Sequence, residues 1–160
     1  MASTTFTGPV TSLNGFINGS GSLVAVTGNV TATSAANAGR INLLNVAAGA
    51  TVTLPAATGT GNVYRFAVQT TVTSNSYIVK VANSTDVMAG RAIVLTDNAS
   101  DAMIGYETAS DTDTITLNGT TKGGYKGDTI ELVDIASGLW LVTVNTSATG
   151  TEATPFSATV

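Results

Sequence analysis

The sequence predicts an all-β fold, an antiparallel β-sandwich of jelly-roll type with extended arms at both ends. Apolar and polar residues alternate with a period of two along most of the 160 residues. Clusters of Gly, Asn and Ser separate the alternating runs, as expected for tight turns between strands. Threonine is the commonest residue, and its β-branched side chain suits a pleated sheet. Regularly spaced short strands with such turns are typical of a sandwich or barrel.

Alternation and turn signals together predict the strands in chain order. Thr51–Leu54, Tyr64–Val68 and Tyr77–Val81 alternate cleanly, and the last run places Lys80 between valines, so its side chain should point outward. Thr114–Leu117 and Thr129–Val133 repeat the pattern. The nine expected strands lie near residues 22–33, 40–46, 50–54, 63–70, 76–82, 91–96, 113–118, 128–135 and 138–145.

Two further features qualify this pattern. Residues 32–38 have the only helix-like composition, and no helix longer than two turns is expected. Trp140 alternates with Val142 and Val144 in a run that is apolar on both faces. Such a strand is usually central in a sheet, so Trp140 is expected in the core rather than on a ligand platform.

An internal echo links the two halves of the chain. Residues 51–55 resemble residues 114–118 at an offset of about 63 residues, and each is followed by a Gly/Thr loop, a strand and an expected hairpin. The turns of these hairpins are expected at Ser74-Asn75 and Ser137-Gly138. Either a duplicated structural unit or the Thr/Gly-biased composition accounts for this similarity between the two segments.

The ends of the chain differ from its middle. Residues 1–21 are predicted to form an extended N-terminal arm, residues 22–146 the sandwich, and residues 147–160 an extended C-terminal tail. The arm is polar but carries isolated apolar residues, which we predict to be anchors on a partner. The five candidate contact residues are Phe6, Pro9, Val10, Phe16 and Ile17.

The sequence offers little catalytic chemistry. The chain has no Cys and no His, which excludes thiolate nucleophiles, disulfides, Ser-His-Asp triads and histidine metal sites. We therefore predict no enzyme, no catalytic residue, no cofactor and no metal site. One segment leaves alternatives open, namely a solvated acidic loop, a loose cation site or a carboxylate pair. Its acidic residues are Asp97, Asp101, Glu107, Asp111 and Asp113.

Charge and hydropathy limit the partners. The net charge is −4, and the six basic residues are scattered, so we expect no nucleic-acid partner. No apolar run approaches the ~18 residues of a membrane helix, so no membrane partner is expected. Few charges and many small side chains favour packing against a protein neighbour, because little side-chain entropy is lost.

The chain resembles the small all-β structural proteins of tailed bacteriophages, and among them the capsid decoration, or cement, proteins. The likeness covers most of the chain. It lies in residues 5–10 with Asn14-Gly15-Phe16, in 53–59, in Tyr64-Arg65-Phe66 leading to 73–76, in 113–119, and in 153–159.

The resemblance implies a structural role on the virion. It implies a β-domain on the outer capsid surface that bridges neighbouring major capsid protein subunits and stabilises the shell. Self-association is implied as well, as a homotrimer or alternatively a dimer. Similar patterns occur in phage fibres, so the alternative is a tail-fibre or head-fibre module that binds a host surface glycan or receptor.

Overall fold

Two mixed β-sheets packed face to face make up the fold. The computed structural model describes residues 7–8, 23–97 and 102–160. In these ranges one sheet has seven strands and the other has five. The all-β sandwich predicted from the alternation is thereby confirmed.

The strands are numbered in chain order. They are β1 (Leu23–Val26), β2 (Val30–Thr31), β3 (Ile41–Leu44), β4 (Ala50–Thr53), β5 (Val63–Val68), β6 (Tyr77–Lys80), β7 (Val87–Leu95), β8 (Met103–Glu107), β9 (Thr114–Leu117), β10 (Thr129–Ala136), β11 (Leu139–Ser147) and β12 (Phe156–Ser157). The seven-stranded sheet has the order β1-β3-β5-β10-β11-β7-β8, and the five-stranded sheet has the order β12-β9-β6-β4-β2.

The first half of the chain coils between the two sheets. Strands β1, β3 and β5 are parallel neighbours in the larger sheet, and β2, β4 and β6 are parallel neighbours in the smaller one. Each turn of this coil contributes one strand to each sheet. Val30, Val52 and Val79 are register partners on successive turns, so identical apolar side chains stack along the inside. Residues 23–80 are therefore a short, two-sided β-solenoid.

The second half closes the solenoid with mainly antiparallel strands. Strand β9 pairs with β6, β10 pairs with β5, and β10 and β11 form a hairpin. Strand β7 lies parallel to β11, and β8 is the far edge of the larger sheet. The expected hairpin turn at Ser137-Gly138 is present between β10 and β11.

The connectivity differs from the expected antiparallel jelly roll. Five of the ten strand pairings between the described residues are parallel. The expected hairpin around Ser74-Asn75 is absent, because β5 and β6 belong to different sheets. The predicted strand 22–33 is two strands, β1 and β2, and the alternation missed β8 and β12. Alternation reports which face of a strand is buried, whereas it carries no information about the neighbouring strand.

A short helix lies within residues 32–38, the segment of helix-like composition, and the inward and outward directions of two singled-out side chains are as predicted. Helix α1 spans only Ser34–Asn37, and the Thr33 hydroxyl caps its N-terminus. Lys80 lies on the outer side of β6 and is half-buried, whereas its neighbour Val79 is fully buried. Trp140 is completely buried and meets the ring of Tyr64 edge-on at a centroid distance of 5.5 Å.

The C-terminal residues 147–160, expected as an extended tail, pack on the sandwich. Strand β12 pairs with β9, and Phe156 is buried in the core. Asp113 accepts hydrogen bonds from the backbone N–H groups of Thr159 and Val160, at 2.8 and 3.1 Å. Backbone hydrogen bonds from Ala148, Thr149 and Ala153 to the domain add to these contacts, so the segment is held along its length.

Candidate interaction surface

The outer faces of the two sheets differ in chemistry. In the five-stranded sheet the strand register places mainly threonines on the outer side, with one lysine and one isoleucine among them. These residues are Thr31, Thr51, Thr53, Thr114, Thr116, Lys80 and Ile78. Thr114 is buried and accepts a hydrogen bond from the Thr159 hydroxyl, whereas the other six side chains are at least partly exposed. This face is therefore mainly polar.

The seven-stranded sheet instead exposes large apolar side chains on its outer side. Six of them are 40–69% exposed, namely Leu23, Ile41, Ile93, Leu95, Met103 and Leu141. The register places all six on the same side of the sheet. We call this side the apolar face. Leu23 and Ile41 lie at one edge of the sheet, Ile93, Leu95 and Met103 lie at the other, and Leu141 lies on β11 between them. Exposed apolar patches on soluble proteins commonly mark interaction sites.

The apolar face has a polar middle. Arg65 on β5 and Glu131 on β10 are register partners, and the Arg65 Nε lies 2.6 Å from the Glu131 Oε2. Leu23 and Ile41 continue the same cross-strand row toward one edge of the sheet. Because both ionic side chains are about half exposed, their pair contributes little stability. It can still orient a partner that docks on this face.

Two depressions lie on this side of the molecule. One has a volume of about 350 Å³ and is bordered by Ile41 and the Arg65–Glu131 pair. The other has a volume of about 490 Å³ and is bordered by Ile93, Leu95 and Met103, with Lys126 and Asp128 at its polar side. Both are shallow features of a broad surface, which suits a protein partner better than an enclosed small ligand.

Buried aspartates hold the loops beneath this surface. Asp134 on β10 accepts hydrogen bonds from the backbone N–H groups of Thr58, Gly59 and Thr60, at 2.9, 2.6 and 3.1 Å. The Thr60 hydroxyl donates a fourth at 2.6 Å. Burial disfavours the ionised carboxylate, but these donors outweigh it, so the pKa of Asp134 lies below its ordinary value. The carboxylate therefore fixes the loop between β4 and β5.

Asp113 and Asp128 hold loops in the same way. The donors from Thr159, Thr114 and Val160 outweigh burial at Asp113, so its pKa is also lowered. Asp128 accepts N–H groups of Gly124, Tyr125 and Ser147, at 2.7, 3.0 and 2.9 Å. At Asp128 the cost of burying the ionised carboxylate outweighs these donors and raises its pKa. These carboxylates are occupied by the backbone, so their role is structural.

Of the acidic residues between Asp97 and Asp113, for which the sequence left three interpretations, those that the structure describes do not come together. Glu107 ends the edge strand β8 and Asp111 is exposed, while Asp113 turns toward the C-terminus. Asp101 lies outside the described residues. Among the described residues no three acidic side chains lie close enough to hold a metal ion.

The predicted arm contacts cannot be placed, since Phe6, Pro9, Val10, Phe16 and Ile17 all lie outside the described residues. Sequence reasoning missed the apolar face itself. A signal was present in β7, where Ile93 and Leu95 alternate with the buried Ala92 and Val94. An apolar residue at every position of a strand indicates that both faces need cover.

Comparison with known proteins adds no identification, because no family model, curated protein or solved structure matches the chain. Helix α1, with four residues, is the only helix in the described ranges, and none there is long and apolar enough to span a bilayer.

Proposed function

We propose that this chain is a capsid decoration protein of a tailed bacteriophage. In this role it binds the outer capsid surface, bridges neighbouring major capsid protein subunits and stabilises the shell. The observation that carries the proposal is the apolar face, a broad sheet surface that none of the described residues covers. The resemblance of residues 53–59 and 113–119 to phage head proteins supplies the identity of the partner.

The chemistry of the face suits a large protein partner. Its exposed groups include six large apolar side chains, and one cross-strand row of polar and charged residues runs between them, through Arg65, Glu131, Thr143, Arg91 and Glu107. The two depressions on it are shallow and are not deep pockets for a small ligand. The loops around it are fixed by buried carboxylates, as at Asp134 and Asp128. A rigid surface loses little entropy on docking, so more of the apolar contact is realised as affinity.

The predicted arm would act together with this face. Residue 23, where the described domain starts, belongs to β1 at the edge of the seven-stranded sheet, and Leu23 is part of the apolar face. An arm anchored through Phe6 and Phe16 would therefore leave the domain beside the docking surface. Linked contacts of this kind gain affinity through effective concentration. Binding only to the assembled shell would stabilise that shell by mass action.

The test measures binding to purified capsids of the phage that encodes the chain. We expect Leu95→Glu and Met103→Glu each to weaken co-sedimentation with capsids at least about tenfold, since each buries a charge in an apolar contact. The matched control is Thr53→Glu on the opposite face, where Lys80 is the register partner of the new carboxylate. The control should bind like the unmodified protein.

Two outcomes would contradict the proposal. Equal binding by all three variants would mean that the apolar face is not the docking surface. Absence of capsid binding together with affinity for a host glycan would favour the fibre module.

A further inference from the structure

The first turn of the solenoid leaves an open edge in both sheets. Strand β1 ends the seven-stranded sheet and β2 ends the five-stranded sheet, both at the start of the described domain. Within the described residues no strand pairs with the far side of either. Natural solenoids and sheets usually cover or charge such edges, because an unpaired strand templates association.

The backbone hydrogen bonds fix which groups of β1 face outward. The Asn45 N–H donates to the Val26 carbonyl at 2.9 Å, so the polar groups of Val26 point toward β3. Alternate residues of a strand point their N–H and C=O groups to opposite sides. Leu23 and Ala25 therefore present their N–H and C=O groups to the open side.

The open edge lacks the features that normally block pairing. Residues 23–39 contain no charged residue and no proline, and the first charged residue of the chain is Arg40. Leu23 is 56% exposed. A groove of about 300 Å³ opens at this end, and the inward-facing Val24, Val26 and Val30 line it. The apolar interior therefore reaches the surface here, in a zone as poor in charge as the centre of an interface.

We propose that β1 pairs with β1 of a second copy of this chain, antiparallel and across a two-fold axis. The axis passes between Val24 and the partner's Val24. Leu23 then lies opposite the partner's Ala25, and their outward N–H and C=O groups form four hydrogen bonds in two symmetric pairs. The exposed Leu23 meets a small alanine side chain, so the same strand supplies both halves of the contact.

A second copy of this chain suits the β1 edge because β1 carries no charge. Two uncharged strands meet without like-charge repulsion, which an acidic chain of net charge −4 would otherwise produce. The other edge of the sheet, β8, carries Gly105 and Glu107 and is less suited to self-pairing. Edge pairing would continue the sheet through both copies and turn both apolar faces to the same side.

The proposed pairing is independent of the proposed capsid binding and selects a dimer over a trimer. Its first test is the mass of the full chain in sedimentation velocity, where a dimer has twice the 16.0 kDa of one chain. Ala25→Pro removes only an outward N–H, so it should keep the fold and yield monomer. Met103→Pro on the edge strand β8 is the matched control and should remain dimeric.

A cross-link keeps the proposal testable if the proline variant fails to fold. The chain has no cysteine, so Val24→Cys introduces a single thiol. Across the two-fold axis the two Cα atoms would be about 4.5 Å apart, within reach of a disulfide. Mild oxidation should convert most of this variant into a covalent dimer, whereas Met103→Cys should stay uncrosslinked.

Three results would overturn the proposal. They are a monomeric or trimeric unmodified protein at high concentration, loss of the dimer with Met103→Pro but not Ala25→Pro, and failure of Val24→Cys to cross-link more than Met103→Cys. Capsid binding is measured with the unmodified protein and with Val24→Cys, which leaves the six exposed side chains of the apolar face intact, so failure here is distinguishable from failure of the proposed function.

Discussion

At the scale of single residues, the most informative groups are the buried aspartates. Asp134 makes four short hydrogen bonds to one loop, and three of the donors are backbone N–H groups. Every loop residue except proline has a backbone N–H, whatever its side chain. The sequence of residues 58–60 therefore contains no basic side chain or other sign that this loop binds Asp134. The structural role of this carboxylate therefore could not be predicted from residue types alone.

Replacing Asp134 should destabilise the fold strongly. Asp134→Asn removes a charged acceptor and turns an amide N–H₂ toward buried donors, so the free energy of unfolding should fall by about 2–4 kcal/mol at pH 7. The matched control is Glu131→Gln on the same strand, whose exposed ion pair should contribute less than about 1 kcal/mol. Urea denaturation of both variants measures the difference. Equal losses would contradict the role assigned to Asp134.

Acid should weaken the fold through the same group. The pKa of Asp134 is lower in the folded protein, so its stabilisation is present above its unfolded pKa of about 3.9 and is lost as pH falls through the folded pKa. The pKa of Asp113 is also lowered in the folded protein, so its stabilisation is lost with acid in the same way. The pKa of Asp128 is raised, so protonation of this group at low pH stabilises the fold and offsets part of the lost unfolding free energy. Unfolding free energies measured from pH 7 to pH 2 should therefore fall below about pH 4, and less steeply in Asp134→Asn. An identical acid dependence in that variant would refute the assignment.

At the scale of elements, close backbone contact constrains the pairing of β7 with β11 in the larger sheet. Gly90 on β7 is the register partner of Val142 on β11, and any Cβ at position 90 would collide with the Val142 carbonyl oxygen. The parallel pairing of β7 and β11 thus depends on one missing side chain. Strand propensities disfavour a glycine inside a strand. The reason for Gly90 is seen only when β11 is known to be the neighbouring strand.

Gly90→Ala should therefore separate β7 from β11 locally. We expect a loss of about 3 kcal/mol in unfolding free energy, because the obstacle is backbone and cannot move aside cheaply. Gly105→Ala in the adjacent strand β8 is the control, since a Cβ there meets nothing within 4 Å. Thermal denaturation of the two variants gives the comparison. A neutral Gly90→Ala would contradict the close approach.

The elements themselves could be predicted in large part. The runs Thr51–Leu54, Tyr64–Val68 and Thr114–Leu117 lie within or against β4, β5 and β9, because a period of two is a direct consequence of a half-buried strand. The partners of these strands could not be predicted. β4 and β9 resemble each other in sequence and both flank β6, yet one runs parallel to β6 and the other antiparallel.

At the scale of the whole molecule, one sandwich presents two unlike faces. The threonine-rich side and the apolar face differ because the outward positions of β1, β3, β7 and β8 include large apolar residues, beside the outward Arg91 and Glu107. Composition indicated a protein that packs against a neighbour, but it could not locate the surface. Location required the strand register, which sets Leu23 and Met103 on one side of the same sheet.

The proposed decoration role is tested most directly by the copy number of this chain in purified virus particles. Quantitative gel densitometry against the major capsid protein gives that number. The account predicts a copy number comparable to that of the capsid protein, as expected for a protein that covers the lattice. A few to a few tens of copies per particle would indicate a fibre or appendage, and complete absence from particles would contradict the structural role.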